Sequence, residues 1–345
     1  MIFTKNKKCC MYALIFLIIV CILIKSYTEI KKEIIESLVL WCTVVLPSLF
    51  PYLVLSQYII STGIMNIIST ITGPILSRIL HTSRNGTNIF LSSLVCGYPS
   101  GAICTADLYV SGQMSLHEAQ RIICFSNNAG PLFLISAVGT GMIGNTGDGV
   151  AIYVIQTLAC LCYAFFSGIK SDNISDNASD KVGQVRSKDF STCIKTSVTT
   201  IVNIGGFITA SSVICRIIIT LISALFPRLP HTEAWIYSIF ELSRASEMIT
   251  RFNMTPLLFA TLCAVVSWGG ISVILQVKSA LPPEIKISRF VKSKIMQAST
   301  AFGLGYAYKI SGSAKFFTMK TNLIFISFIL SVILYLAFVI CRAIE

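Results

Sequence analysis

Two short stretches rich in glycine, proline and asparagine interrupt apolar sequence in the first half of the chain. They are residues 96–102 (CGYPSGA) and residues 126–131 (SNNAGP). In hydrocarbon, irregular backbone survives only where protein buries its polar groups or where it lines a cavity, because each unpaired N–H or C=O group is costly. A helix that restarts after Pro99 presents N–H groups and the positive end of its dipole, which suit an anion. The two stretches therefore predict a binding site for an anion.

The composition assigns the chain to the membrane proteins. Apolar residues make up 54% of the 345 residues, charged residues make up 12%, and the mean hydropathy is +0.77. These values exclude an ordinary soluble globular protein and predict an all-α polytopic membrane protein with about seven to nine spans. The net charge of +12 does not indicate nucleic acid here, because the basic residues lie mainly in short polar connections that face lipid and cytoplasm.

Cysteine and histidine form no pattern typical of a cofactor site. The 13 cysteines are scattered through apolar segments without a C-x-x-C pair, and the three histidines lie far apart in the sequence. Cysteines of this kind are best interpreted as small buried apolar side chains. We therefore predict neither a metal nor another cofactor.

The N-terminal region predicts two spans of different character. The apolar run Cys9–Ile24 follows three lysines and lacks a cleavage site, so we interpret it as a retained first span. The charged segment 28–37 predicts an amphipathic helix at the membrane interface. The second span, Leu38–Ile60, contains Pro47 and Pro51, which predict a kink or a break.

The sequence between and after the two stretches predicts a re-entrant hairpin rather than two complete spans. Ser115 and Glu118 fit a capping box at the start of a short helix. The amides of Asn127 and Asn128 either hold a polar ligand without the cost of a buried charge or form hydrogen bonds between helices. Residues 150–169 predict an ordinary span.

The second half repeats the layout of the first half after a polar linker, residues 170–192. Its long apolar segment, 194–226, is expected to break at the glycine pair 205–206. An amphipathic stretch follows at 240–251, and the glycine pair 269–270 predicts a further break inside apolar sequence. Two such pseudo-repeats with broken or re-entrant helices are typical of transporters whose binding site lies between the repeats.

Several charged residues of the second half allow more than one interpretation. Glu241 and Arg244 lie three apart, and they form either a surface ion pair or a pair that lines the cavity. Arg216 lies in apolar sequence and either reaches the interface or binds the substrate. The basic segment 278–294 is predicted to be cytoplasmic, and residues 322–341 are predicted to form the last span.

The predicted organisation has five segments and one central site. The segments are an N-terminal anchor span with an interfacial segment (1–37), a first repeat (38–169), a polar linker (170–192), a second repeat (193–303) and a basic loop with a C-terminal span (304–345). The predicted substrate-binding residues are Gly97, Tyr98, Pro99, Ser100, Gly101, Ser126, Asn127, Asn128, Gly130, Gly205, Gly206, Gly269, Gly270, Ser272 and Arg216. Among them, Tyr98 offers a ring that can stack on an aromatic solute.

Several motifs taken together resemble the YlbJ/SpoVV family of sporulation integral membrane proteins. They are Leu46-Pro47-Ser48-Leu49-Phe50-Pro51, Gly97-Tyr98-Pro99-Ser100-Gly101-Ala102, Glu118-Ala119, Ser126-Asn127-Asn128, Gly130-Pro131-Leu132-Phe133, Ile204-Gly205-Gly206-Phe207, and Gly269-Gly270-Ile271-Ser272-Val273 with Gln276-Val277. That family resembles the nucleoside-recognition, or Gate, group, which is similar to concentrative nucleoside transporters. The resemblance implies that both repeats are Gate-like.

The resemblance also implies a function and a location. The expected function is transport of a small carboxylate, dipicolinic acid, across the outer forespore membrane of a sporulating cell. The expected partners are this small anionic solute, membrane lipid, other sporulation membrane proteins and a second copy of the chain, with no nucleic acid. A membrane scaffold for spore envelope or cortex assembly, without transport, stays open as an alternative. The chain contains no H-E-x-x-H or G-x-S-x-G motif, so we do not expect an enzyme.

Overall fold

The computed structural model describes residues 19–169, 189–226 and 232–311, together with residues 11, 13, 16 and 17. The secondary structure in these ranges is helical throughout. The helices are α1 (Tyr27–Leu40), α2 (Leu46–Ser61), α3 (Ile64–Leu80), α4 (Arg84–Cys96), α5 (Ser100–Val110), α6 (Leu116–Ile122), α7 (Thr146–Ile169), α8 (Phe190–Leu225), α9 (Thr232–Phe240), α10 (Leu242–Thr250), α11 (Pro256–Trp268), α12 (Gly270–Ala280) and α13 (Ser288–Ile310). Two further segments, Trp41–Val45 and Phe133–Ile143, have the wider π-helical geometry. Part of the predicted first span, most of the predicted linker and the predicted last span lie outside the described residues.

Within the described part of the chain, four helical segments are long and apolar enough to cross a membrane. They are Tyr27–Ile59, Thr146–Gly168, Phe190–Leu225 and Pro256–Ala280. Large apolar side chains stay exposed on them, such as Phe166 (65% exposed) and Leu225 (72% exposed), as expected for helices that contact lipid. The prediction of an all-α membrane protein is confirmed, while the number of seven to nine spans stays a prediction.

The two prolines of the predicted second span do not end the helix. α1 continues through the π-helical turn Trp41–Val45 into α2, which contains Pro51. Proline removes a backbone N–H donor, and a π-helical turn is one way in which a helix absorbs such a disturbance. Beside this turn, Ser48 Oγ donates to the carbonyl oxygen of Val44 at 2.6 Å, a bond that is common in bent membrane helices.

The helices of the two halves pack against each other. α1 and α2 pack against α8, and α13 packs along α11 and α7. The buried apolar side chains form two main clusters, and the ring of Tyr98 packs against both of them. The interrupted stretch that contains Tyr98 therefore lies between the two parts of the core.

The predicted break at Gly205 and Gly206 is wrong. α8 is a continuous helix of 36 residues across this pair. Gly205 instead allows a close approach of Trp41: a Cβ atom on Gly205 would lie 2.7 Å from Cε2 of Trp41. The Trp41 indole donates from Nε1 to the carbonyl oxygen of Ile201 at 3.1 Å, which fixes the ring in this contact. Small residues serve this purpose where membrane helices pack closely.

The neighbouring glycines of α8 provide a matched test of this contact. Gly205→Ala should destabilise the protein by about 1–3 kcal/mol, because the new methyl group overlaps a ring that cannot move away. Gly206 has open space around it, so Gly206→Ala should be neutral or stabilise by up to about 1 kcal/mol through helix propensity. Thermal unfolding of both variants in detergent measures the difference. Equal midpoints for the two variants would contradict the role assigned to Gly205.

Candidate binding site

The two interrupted stretches of the first half lie against each other. The N–H group of Tyr98, between α4 and α5, donates to the carbonyl oxygen of Asn128 at 2.9 Å. Gly97 has a φ of +71° and packs on Gly130, so that a Cβ atom on Gly97 would lie 2.7 Å from the Gly130 nitrogen. Only glycine adopts this backbone conformation freely and permits this contact. The irregular backbone of each stretch thus meets the other stretch rather than lipid.

The side chain of Asn127 caps the helix that restarts after Pro99. Its Oδ1 accepts a hydrogen bond from the N–H of Ala102 at 2.8 Å, and its Nδ2 donates to the carbonyl oxygen of Ile123 at 3.2 Å. Gly101 lies so close to Ser126 that a Cβ atom on Gly101 would overlap the Ser126 carbonyl. One of the N–H groups that the sequence predicted to face an anion is therefore satisfied by an amide of the protein.

The short helix between the two stretches has the predicted serine cap but only half of the predicted capping box. Ser115 Oγ accepts a hydrogen bond from the N–H of Glu118 at 3.2 Å. The Glu118 carboxylate does not return to Ser115; it accepts from the N–H of Ser83 at 3.1 Å and from Thr82 Oγ1 at 3.3 Å. Glu118 therefore connects α6 to the start of α4, the helix that ends at the first interrupted stretch.

A small cavity lies where these stretches meet α2 and the second half of the chain. Its walls include Tyr52, Gly97, Tyr98, Gly130, Phe133 and Ser243. The volume open to the centre of a water molecule is about 30 Å³, which suffices for one or two water molecules. Typical ligand pockets measure several hundred Å³. The conformation described here is therefore closed around this point.

A buried lysine lies directly behind the second stretch. Lys294, on α13, is 2% exposed, and its Nζ donates to Oδ1 of Asn128 at 2.8 Å and to Oε1 of Gln297 at 3.3 Å. Burial lowers the pKa of Lys294 to about 8, since desolvation disfavours the ammonium form. Lys294 belongs to the basic segment 278–294, which is predicted to be cytoplasmic, and the structure shows that its side chain is buried. The basic residues before it, Arg289 and Lys292, hide this burial in the sequence, because they give the segment the composition of a solvated loop.

The predicted break at the second glycine pair is confirmed. Gly269 and Gly270 have φ values of +81° and +85° and separate α11 from α12. A Cβ atom on Gly270 would lie 2.8 Å from the carbonyl oxygen of Phe240, next to the junction between α9 and α10. This break lies inside the candidate span Pro256–Ala280. As in the first half, one interruption here packs on the backbone of another.

Glu241 caps α10 from the junction between α9 and α10. Its carboxylate accepts hydrogen bonds from the N–H groups of Ser243 at 2.9 Å and Arg244 at 2.6 Å. Burial raises the pKa of Glu241, although these two donors oppose the shift. Burial also raises the pKa of Tyr98, and the nearby Glu241 carboxylate adds to that shift. Glu241 therefore lies close to the cavity without forming the surface ion pair with Arg244 that was one of its two interpretations.

Two arginines of the second half, Arg216 and Arg244, belong to a buried ion cluster, which we define by Glu33, Arg216 and Arg244 and their partners. Arg216 pairs with Glu33 at 2.7 Å and Glu233 at 2.9 Å; Arg244 pairs with Glu33 at 3.0 Å, Glu36 at 2.5 Å and Glu247 at 2.8 Å. Glu33 and Arg244 are only 2% and 4% exposed. Burial alone would lower the pKa of Arg244, but the neighbouring carboxylates raise it above the ordinary value. The ion cluster connects α1 with α8, α9 and α10.

The predicted site residues therefore fall into five places. Gly97, Tyr98 and Gly130 line the cavity. Pro99, Ser100, Gly101, Ser126, Asn127 and Asn128 surround the contact between the two stretches. Gly269, Gly270 and Ser272 lie at the second-half break, Gly205 and Gly206 lie in the unbroken α8, and Arg216 lies in the ion cluster. Tyr52, Phe133 and Ser243 also line the cavity, and Lys294 and Glu241 lie close to it; these five were not among the predicted site residues.

Comparison with known proteins agrees with the motifs. The chain is 25% identical over 299 residues to the sporulation integral membrane protein YlbJ of Bacillus subtilis (strain 168), an alignment that covers 76% of this chain and 73% of that protein. The chain is YlbJ-like, as its motifs predicted. Likeness to YlbJ, together with the apolar helices, supports a multi-pass membrane protein with a role in sporulation. No protein-family model and no solved structure matches the chain, so the Gate-like character of this YlbJ-like protein stays a prediction.

Proposed function

We propose that this YlbJ-like protein transports a small aromatic dicarboxylate, dipicolinate, across the outer forespore membrane. The observation that carries the proposal is the meeting of two helix interruptions beside a cavity that also receives Ser243 from the second half. In transporters, discontinuous helices from two repeats form the substrate site near the middle of the membrane. The identity of the solute and the membrane rests on the family resemblance.

The surroundings of the cavity suit an aromatic anion. Tyr52, Tyr98 and Phe133 contribute rings to its walls, and Ser243 contributes a hydroxyl group. A pyridine ring stacks well against such side chains. The buried ammonium of Lys294 lies one residue behind the wall, on the side chain of Asn128, and supplies the positive charge that a dicarboxylate requires.

The proposal requires a second conformation. A cavity of about 30 Å³ has no room for a dicarboxylate, so the walls at Tyr98, Gly130 and Ser243 must separate during transport. The elements that carry these walls end at the interruptions, and a few residues at the end of an element commonly act as hinges. Alternating access of this type moves one group of helices against another around a fixed site.

Uptake of radiolabelled dipicolinate into proteoliposomes tests the proposal. The wild-type protein should show saturable uptake. Tyr98→Leu should raise the KM roughly tenfold, because it removes a stacking contact of about 1–1.5 kcal/mol. Tyr98→Phe, which keeps the ring, should stay within about twofold of the wild type. Tyr58→Leu is the control, since Tyr58 lies outside the cavity and packs on Phe190.

The same experiment separates transport from assembly. Asn127 is a poor target for it, because Asn127 caps the backbone N–H of Ala102 and its loss would disturb the fold. If correctly folded wild-type protein gives no uptake above empty liposomes under several ion gradients, transport of dipicolinate is overturned. The scaffold alternative then predicts that Tyr98→Leu changes complex formation in sporulating cells instead of solute flux.

A further inference from the structure

Lys294 is a buried cation without an acidic partner among the described residues. The ion pairs found among the described residues involve other lysines and arginines. The Lys294 ammonium donates its two hydrogen bonds to amide oxygens, those of Asn128 and Gln297. Buried charges are normally paired, because desolvation of an unpaired ion is costly. Lys309, on the same helix, follows the rule and pairs with Asp148 at 2.8 Å.

The two amides are oriented to receive a positive charge. Asn128 Nδ2 donates to the carbonyl oxygen of Phe125 at 3.0 Å, and Gln297 Nε2 donates to the carbonyl oxygen of Cys124 at 2.7 Å. Because each side-chain amide nitrogen donates a hydrogen bond to a backbone carbonyl oxygen, each side-chain amide oxygen points to Lys294. The arrangement therefore holds a proton on Lys294 without a fixed counter-charge.

The ammonium is connected to the cavity through one residue. Asn128 accepts from Lys294 with its side chain and from the N–H of Tyr98 with its backbone carbonyl. Tyr98 and Gly130, on either side of that contact, line the cavity. A negative charge in the cavity would therefore lie near a cation that forms no ion pair with a carboxylate among the described residues.

The other titratable groups around Lys294 do not compete with it near neutral pH. The nearest ones are the thiols of Cys124, beside α6, and Cys160, on α7. Burial raises the pKa of Cys124 to about 11, so this thiol stays neutral when Lys294 titrates. Among the other packed elements, α11 presents Cys263 near Gly305, and Asp148 on α7 is taken by Lys309.

The remaining charges near Lys294 lie on its own helix and around Cys124. The positive charge of Arg289 opposes the rise in the pKa of Cys124, and Arg289 precedes Lys294 by five residues on α13. Tyr163 also lies against Cys124, and Arg121 stacks near Phe125 at 5.8 Å from the ring centre. None of these groups is a carboxylate, so none supplies the missing counter-charge.

We propose that Lys294 is the proton-carrying residue of the anion site, so that the solute binds together with one proton on Lys294. The inference rests on the proposed transport function and adds the coupling ion to it. Its physical basis is reciprocal: an anion in the cavity favours the ammonium form of Lys294, and the ammonium form favours the anion by the same factor. During a cycle, the amine takes up one proton from water on the side of entry and releases it on the side of exit.

The test compares three side chains at position 294 in proteoliposomes with a lightly buffered lumen and an entrapped pH dye. For the wild type, the KM for dipicolinate should rise about tenfold per pH unit above about pH 8, and uptake should acidify the lumen. Lys294→Arg, permanently charged, should bind tightly at every pH but carry no proton. Lys294→Met, permanently neutral, should bind at least about tenfold more weakly at pH 7 without pH dependence. Protein-free liposomes correct for leakage of the neutral acid.

The outcomes separate this inference from the proposed function. Absence of wild-type uptake at every pH overturns the transport proposal itself. Wild-type uptake with a pH-independent KM, or a pH dependence that persists in Lys294→Arg, overturns the role of Lys294 while transport stands. If Lys294→Met does not fold, the pH dependence of Lys294→Arg still decides whether Lys294 carries the proton.

A measurement on the unliganded protein checks the titration independently. The folded-state pKa of Lys294 lies near 8, below the value of about 10.4 for an unfolded chain. The unfolded state therefore binds more protons between these values, so stability should rise with pH in this window and stay flat below it. The unfolding midpoint in detergent should show this rise in the wild type but not in Lys294→Arg. Identical pH profiles for the two proteins would overturn the assignment.

Discussion

Replacement of Gly101 by alanine should destabilise the protein by at least about 3 kcal/mol or prevent folding. The added Cβ atom overlaps the backbone carbonyl of Ser126, so no side-chain rotation relieves the clash. Both backbones are also held in place, because the N–H of Ala102 binds Asn127 and the N–H of Tyr98 binds Asn128. Thermal unfolding in detergent, with the fraction of monodisperse protein on a sizing column, measures the effect.

The matched control for this change is Gly303→Ala. Gly303 lies within α13 with open space around it, so alanine there should be neutral or stabilising by up to about 1 kcal/mol. If Gly101→Ala and Gly303→Ala unfold at the same temperature as the wild type, the two interrupted stretches are not in backbone contact. The description of the cavity would then also be incorrect, because its walls depend on that contact.

Replacement of Arg244 by methionine should lower the free energy of unfolding by about 3–5 kcal/mol. Methionine fills a similar volume but leaves Glu33, which is 2% exposed, with one arginine in place of two. Arg244→Lys should restore only part of the loss, because a single ammonium cannot reproduce the planar fork that contacts Glu33, Glu36 and Glu247. Denaturant or thermal unfolding in detergent should show stability decreasing from the wild type to Arg244→Lys and then to Arg244→Met.

Two controls define what the Arg244 result means. Arg251 is 63% exposed and pairs with Glu247 at the rim of the ion cluster, so Arg251→Met should cost at most about 1 kcal/mol. Glu33→Gln combined with Arg244→Met should be less destabilising than the sum of the single changes, because the buried carboxylate is then absent. Strict additivity of the two changes would show that Glu33 and Arg244 do not interact.

Local chemistry predicted the interruptions where glycine and proline act on their own backbone. The breaks after Cys96 and after Trp268 occur where glycines adopt positive φ angles, a conformation that other residues avoid. Such features depend on a few consecutive residues, so the sequence alone can reveal them.

Features that depend on distant partners were predicted less well. Gly205 was expected to break α8, but its role depends on Trp41, and the indole bond of that tryptophan spans 160 residues. The basic pattern of residues 278–294 did not reveal the burial of Lys294 for the same reason, because the amide oxygen that accepts its hydrogen bond lies 166 residues earlier. Glu33 belonged to an amphipathic pattern that predicted an exposed interfacial helix, and no local signal indicated its partners on α8 and α10.

The ion cluster has a consequence for the order in which the helices pack during synthesis. Glu33 precedes Arg216 by 183 residues and Arg244 by 211 residues, whereas the paired interruptions of each half lie within about 30 residues of each other. During synthesis, the paired interruptions of each half can come into contact soon after that half emerges. The Glu33 carboxylate can pair only after Arg216 and Arg244 have been synthesised. The helix α1 is therefore expected to dock on α8 and α10 only after those helices have been synthesised.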